Sequence, residues 1–128
     1  MIPSMHDLVI QVENEPGALA KVAAAVSDAG VNLAAATCTR PGDMADLHIL
    51  VKYPEAAKHA LQISGLTVTN EREVVVVEAD DRPGALADLA RKVAKSGVNL
   101  DLVYVATNTR VVFGSPDLDG LKKALGVS

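Results

Sequence analysis

Two short stretches carry the residues whose types and spacing point to chemistry: Asn14-Glu15-Pro16-Gly17-Ala18-Leu19 and Asp81-Arg82-Pro83-Gly84-Ala85-Leu86. In each, a Pro-Gly pair follows an apolar run and opens a helical pattern. The first N–H groups of a helix have no intrahelical partner and lie at the positive end of its dipole. A carboxylate arriving there would accept hydrogen bonds from Gly17, Ala18 and Leu19, or from Gly84, Ala85 and Leu86, and glycine lets it come close to the backbone. Asn14 offers a donor and an acceptor. Asp81, at the equivalent place, offers a carboxylate that would hold an ammonium or cap the helix. Asn32 and Asn99 follow sixteen residues after each proline, where the chain returns from the helix. Together these groups suit a small zwitterion, with its carboxylate on the helix terminus and its ammonium on amide or backbone oxygens. Plainer readings stand beside these. A lone Pro-Gly usually marks only a helix start, and Asn32 and Asn99 equally suit a helix-to-strand corner, because Asn tolerates left-handed backbone. Glu15 and Arg82 differ between the stretches and read as solvated charges, although Arg82 has the reach to lean over an acidic ligand.

The two stretches belong to one unit built twice. Pro16 and Pro83 are 67 residues apart, and eleven of the eighteen positions from Pro16 to Leu33 match their counterparts from Pro83 to Leu100. Periodicity then gives the same order of elements in each copy. Leu8, Ile10 and Val12 alternate as a strand, and Glu73–Ala79 is its counterpart. Leu19, Val22, Ala23 and Val26 share a helical face, as do Leu86, Leu89, Ala90 and Val93. Proline is placed as the first helical residue, and Gly30 or Gly97 stops each helix. A second strand opens at Asn32 or Asn99, and a third lies in the DLHILV or RVVFG run. A second helix covers Glu55–Ile63 or Asp117–Leu125, and a fourth strand at Leu66–Glu71 closes the first copy only.

The order is βαββαβ, twice. The expected fold class is α+β, two ferredoxin-like modules side by side, with antiparallel sheets and helices on one face. Residues 1–71 make the first module and 72–128 the second, whose final strand is short or missing. The runs EVVVVEA and DLVYVA do not alternate in polarity, so a second subunit is expected to cover that face. The absent last strand leaves an edge that also invites pairing. A homodimer follows as an expectation.

Composition narrows the function. Hydrophobic residues make up 49% and aromatic ones 2%, so the core must be built from Val, Leu, Ile and Ala. Net charge is −4 with no basic run, and Tyr53, Tyr104 and Phe113 are the only aromatics, which argues against nucleic-acid binding. No apolar run reaches membrane-span length and the opening MIPSMHDLVI does not read as a signal peptide, so a soluble cytoplasmic protein away from membranes is expected. The single cysteine, Cys38, falls mid-strand and reads as a small core residue. His6, His48 and His59 show no metal-ligand spacing, although His48 shares a strand face with Asp46. No base, nucleophile and orienting group recur together, so no catalytic residue, metal or cofactor is expected.

The Pro-Gly-Ala-Leu-Ala run after a strand, followed by Gly-Val-Asn-Leu, resembles the ACT domain, the small regulatory module of amino-acid-metabolism enzymes. The resemblance covers essentially the whole chain as two copies. It implies modules paired through their second strands, with amino acids bound between the strand-helix loop of one module and its neighbour. In serine-binding members, contacts come from an Asn two residues before the Pro-Gly and from the Asn after the helix. Asn14 and Asn32 match both, whereas the second copy keeps Asn99 and has Asp81 at the first place. Some such sites also carry a His where this chain has Val12 and Ala79, so serine itself is not implied. The family includes tandem proteins with no catalytic domain, which this chain resembles most. The resulting expectation is a non-catalytic regulatory protein that senses a small amino acid between its modules, with a metabolic enzyme as a partner regulated in trans. The alternative is a ligand-free scaffold that regulates an enzyme by contact. A small hydrolase of the acylphosphatase type would need an Arg-bearing phosphate cradle, which neither Pro-Gly loop resembles. The two sites are expected to differ in affinity or occupancy.

Overall fold

The computed structural model describes residues 5–40 and 42–127. They form two compact units, one spanning Met5–Arg72 and one beginning at Glu73. The first holds β1 (Met5–Glu13), α1 (Ala18–Asp28), β2 (Ala35–Thr39), β3 (Met44–Val51), α2 (Pro54–Ile63) and the start of β4 (Thr67–Glu78). The second holds the rest of β4, then α3 (Ala85–Lys95), β5 (Leu102–Ala106), β6 (Arg110–Gly114) and α4 (Leu118–Leu125).

In the first unit the strand order is β2-β3-β1-β4. β1 and β3 run antiparallel with Ile10 opposite Leu47, and β2 pairs with the other side of β3 with Cys38 opposite Leu47. Successive side chains of a strand point to opposite faces. Leu8, Ile10 and Val12 therefore join Ala45, Leu47, Ile49 and Val51 on one face, where Val22 and Val26 of α1 and Ala57 and Leu61 of α2 close the core. Both helices thus lie on the same side of the sheet, the ferredoxin-like arrangement. The second unit repeats it with three strands in the order β4-β6-β5. Its core gathers Val75, Val93, Val111, Phe113, Leu121 and Leu125. Among the described residues no strand follows α4.

Several expectations change. The fourth strand of the first copy and the first strand of the second are one twelve-residue strand, β4. Nothing between Leu66 and Ala79 is Gly or Pro, so the chain has no cause to turn and two strands in line become one. Proline does not start the helices. Gly17 and Gly84 are the N-caps, at φ 89° and 88°, and the prolines stand one residue earlier. Leu19 and Leu86 leave the core faces, at 56% and 45% exposed, because Ala18, Val22, Ala25 and Val26 fill the inner face of α1, and Ala85, Leu89 and Val93 that of α3. Cys38 is exposed on the edge strand β2 rather than in the core. Asn32 lies before β2, which begins at Ala35, and Asn99 before β5, which begins at Leu102.

On the face thought to need a second subunit the apolar side chains have little exposure. Val74, Val76, Tyr104, Ala106 and Val112 lie on the side of the second unit's strands away from Val75, Val111 and Phe113, and all five are buried. β5 does alternate in exposure: Val103 and Val105 are exposed while Tyr104 and Ala106 are not. The helix stops came out as expected. Gly30 follows α1 at φ 74°, its N–H donating to the carbonyl of Ser27 while Val31 donates to that of Val26, the paired bonds of a Schellman motif.

Candidate functional site

Each candidate site begins with a four-residue turn. In the first unit Ala18 N–H donates to the carbonyl of Glu15 at 3.4 Å, closing Glu15-Pro16-Gly17-Ala18. Pro at the second place and Gly at the third, with Gly17 at φ 89° and ψ −7°, make this a type II turn. The second unit repeats it, with Ala85 N–H donating to the carbonyl of Arg82 at 3.3 Å and Gly84 at φ 88° and ψ −9°. The first residue of each turn is itself tied back to the chain before it, since Glu15 N–H donates to the carbonyl of Glu13 and Arg82 N–H to that of Asp80, both at 2.9 Å. The repeated Pro-Gly is therefore the middle of a turn that delivers the chain into the helix.

This geometry alters the donor set. The N–H groups of Ala18 and Ala85 are spent on closing the turns, so they are not free for a ligand as the sequence suggested. Helical bonding resumes with Lys21 N–H to Gly17 and Asp88 N–H to Gly84. Neither α1 nor α3 has a side-chain cap. The groups left pointing outward from the first turn are the N–H groups of Leu19 and Ala20 in one unit, and of Leu86 and Ala87 in the other. Asn14, Pro16, Gly17 and Leu19 are exposed, as are Asp81, Pro83, Gly84 and Leu86. Asn32 and Asn99 are exposed as well, and neither takes a left-handed backbone; the only non-glycine residues that do, among those described, are Asn108 and Thr109. The backbone reason for an Asn at those corners is thus absent.

The two turns differ in charge. Arg82 lies across the start of α3, its Nη2 2.8 Å from Oδ2 of Asp88 and its Nε 3.6 Å from Asp80. Asp88 also receives Arg91 at 2.6 Å. The guanidinium of Arg82, and after it that of Arg91, holds the Asp88 carboxyl below its usual range, and Asp88 in turn raises Arg82. In the first unit the equivalent residues are Glu15 and Lys21, with the charges reversed, and among the described residues no ion pair joins them. Among the described residues no group of His, Cys, Asp and Glu is placed to hold a metal, and no helix is long and apolar enough to cross a membrane.

A family model described as an ACT domain pair matches residues 3–115. The chain belongs to this family. Among solved structures, protein BT0572 from Bacteroides thetaiotaomicron is 28% identical, with 94% of this chain and 85% of that one covered at a TM-score of 0.83. The regulatory subunit of aspartate kinase from Thermus thermophilus, in its ligand-free form, is 18% identical over 98% of this chain and 92% of its own, at a TM-score of 0.70. Escherichia coli aspartokinase III in complex with lysine and aspartate matches 98% of this chain and 30% of its own, at 13% identity and a TM-score of 0.62. At such identities the two kinase structures share the fold with this ACT pair. No sequence among curated proteins matches it.

One charged group of the first ACT module escaped the sequence. Asp7 in β1 is fully buried, and its Oδ2 lies 2.9 Å from Nδ1 of His48 in β3. The hydrogen bond that the Asp7 carboxylate accepts chiefly raises the imidazole pKa; burial lowers it, the charges of Asp7 and Asp46 add to the rise and Arg72 opposes it. Asp7 lies on the strand face opposite Leu8 and Ile10. The strand register, with His48 opposite Val9 and Leu50 opposite Asp7, is what brings the pair together.

Proposed function

We propose that this ACT pair is a non-catalytic regulatory protein that binds a small amino acid at its Pro-Gly turns and passes the signal to a metabolic enzyme in trans. The observation that carries this reading is the duplicated type II turn, which leads into α1 and α3 without a side-chain cap and leaves first-turn N–H groups facing solvent. A ligand carboxylate at those donors would be bonded by backbone alone, with glycine admitting it close to the chain. Asn14 and Asn32 supply amide oxygens for the ammonium in the first module, and Asp81 and Asn99 supply a carboxylate and an amide in the second. In the second module Arg82 is bound to Asp88 and Asp80 beside the turn, whereas Glu15 and Lys21 leave the first turn open. The first site is therefore the one expected to fill first.

The test is a thermal-shift panel of the proteinogenic amino acids. A ligand present at about 100 times its dissociation constant stabilises the native state by about 2.7 kcal/mol. Asn14→Ala with Asn32→Ala should remove the shift given by the first site. A panel with no responder would remove the sensor reading, and a shift untouched by the double substitution would move the site to the second module. We also propose a homodimer in solution; sedimentation at the mass of one chain, 13.3 kDa, would rule it out.

A further inference from the structure

The duplication provides an internal control for surface charge. Where α1 carries Lys21, Ala24, Ala25 and Asp28, the equivalent positions of α3 carry Asp88, Arg91, Lys92 and Lys95. The scaffold thus folds with or without these cations, and the second module alone has them on one helix. They line an open groove of about 360 Å³ together with Leu89, which is half-buried because its inner side packs on the second module's core. The single acid in that lining, Asp88, is committed to Arg82 and Arg91. Among the described residues Lys92 and Lys95 have no ion-pair partner. Lysines in the last turn of a helix favour its negative end, but α1 ends on Asp28 with no base there, so helix stability does not demand them.

We propose that this groove on α3 is a docking surface for an acidic, leucine-bearing segment of a partner protein. Charge and shape favour that occupant. An apolar side chain would sit on Leu89 while carboxylates reach Arg91, Lys92 and Lys95, which steers association and fixes register. A polyanion such as nucleic acid fits poorly. The chain is net negative, Asp80 and Asp81 flank the start of α3, and the second module's Tyr104 and Phe113 are buried and cannot stack on bases. The surface lies on the helix beyond the Pro-Gly turn and needs no amino-acid ligand, so it stands whether or not the sensor reading does.

The experiment measures fluorescence anisotropy of a labelled peptide alternating Glu with Leu, titrated with the full chain. Binding should weaken with salt, and Lys92→Glu with Lys95→Glu should weaken it about tenfold or more, the equivalent of about 1.4 kcal/mol. Lys52→Glu, which removes a cation from the first module, should leave it unchanged. Should the double glutamate variant unfold, Lys92→Gln with Lys95→Gln gives the same comparison without repulsion, and a severalfold loss is expected. Equal binding by wild-type and substituted chains overturns the proposal. So does a peptide with Gln in place of Glu that binds as well, or a single-stranded oligonucleotide that binds more tightly than the peptide.

Discussion

The same two positions of the duplicated sheet hold a part-buried carboxylate–imidazole pair in one module and two valines in the other. Asp7 and His48 correspond to Val74 and Val112, since Val9 opposes His48 as Val76 opposes Val112. Val74 is 3% exposed and Val112 fully buried, while Asp7 is fully buried and His48 only half-buried, all on the sheet face opposite the helices. The fold therefore does not need charge there. A buried pair costs desolvation that its own attraction only partly returns, whereas valines of similar placement simply pack. The first module keeps a costlier solution where the second shows a cheaper one. Its Pro-Gly turn is likewise the open one, while the second has its charges internally bound.

The comparison breaks most visibly in the cores. The second module's core rests on one aromatic, Phe113, in a cluster smaller than that of the first module. Phe113→Ala should cost about 4 kcal/mol in denaturant unfolding, from lost burial plus the cavity left behind. Hydrogen exchange should show the loss centred on β6 and α4 rather than on the first module. A cost below about 1 kcal/mol would mean that the second core collapses around the gap and does not rest on Phe113.

Next comes the ion pair itself. His48→Val alone leaves the Asp7 carboxylate buried without its imidazole and should cost about 3 kcal/mol. Asp7→Val together with His48→Val recreates the second module's solution and should return most of that, ending neutral or more stable than the wild type. If the double substitution is as damaging as the single one, the two modules differ around this pair by more than the pair itself.

The turns give the smaller mutational effect and should give it twice. Gly17→Ala and Gly84→Ala each force a side chain into left-handed backbone, for about 1 kcal/mol. A methyl at Gly17 meets nothing within 4 Å and one at Gly84 meets only Arg82 Nη1 at 3.6 Å, so strain rather than collision sets both costs. Equal losses of stability are expected, together with unequal losses of ligand-induced shift, the greater at Gly17. Equal losses of both would place ligand at both turns alike.

What the chain reveals in advance divides along the same line. The order of elements, the Pro-Gly turns and the glycine stops were readable because each is local and written twice. Local patterns do not specify pairing register, so nothing marked Asp7 and His48 as partners, or showed that Asn70-Glu71-Arg72-Glu73 would run on as one strand. The inner face of α1 was misread because Leu19 has the better hydrophobicity while the smaller Ala18 has the right place. Arg82 was taken as solvated because its partner Asp88 lies six residues on, beyond the turn, where no helical spacing connects them. Of the candidate site, the residue types were legible, but the loss of the Ala18 and Ala85 donors appeared only with the turn geometry.

The gentlest way to separate the modules is pH. His48 has its pKa raised, first by the hydrogen bond with Asp7 and then by the charges of Asp7 and Asp46, against burial and Arg72. A group whose folded pKa lies above its unfolded value stabilises fully below the unfolded value, about 6.5 for imidazole. That stability fades as pH rises through the raised folded value, because the native state then gives up the proton that made the pair ionic. Unfolding free energy measured from mildly acidic to mildly alkaline pH should therefore fall across that window. A single proton limits the slope to about 1.4 kcal/mol per pH unit. With Asp7→Val and His48→Val the fall due to this group should vanish, since Val74 and Val112 show that the site works without a titrating side chain. Hydrogen exchange at the upper end of the range should show β1 and β3 loosening while β4 and β6 beside Val112 hold. Loosening shared equally by both modules would mean that the pair is not what responds.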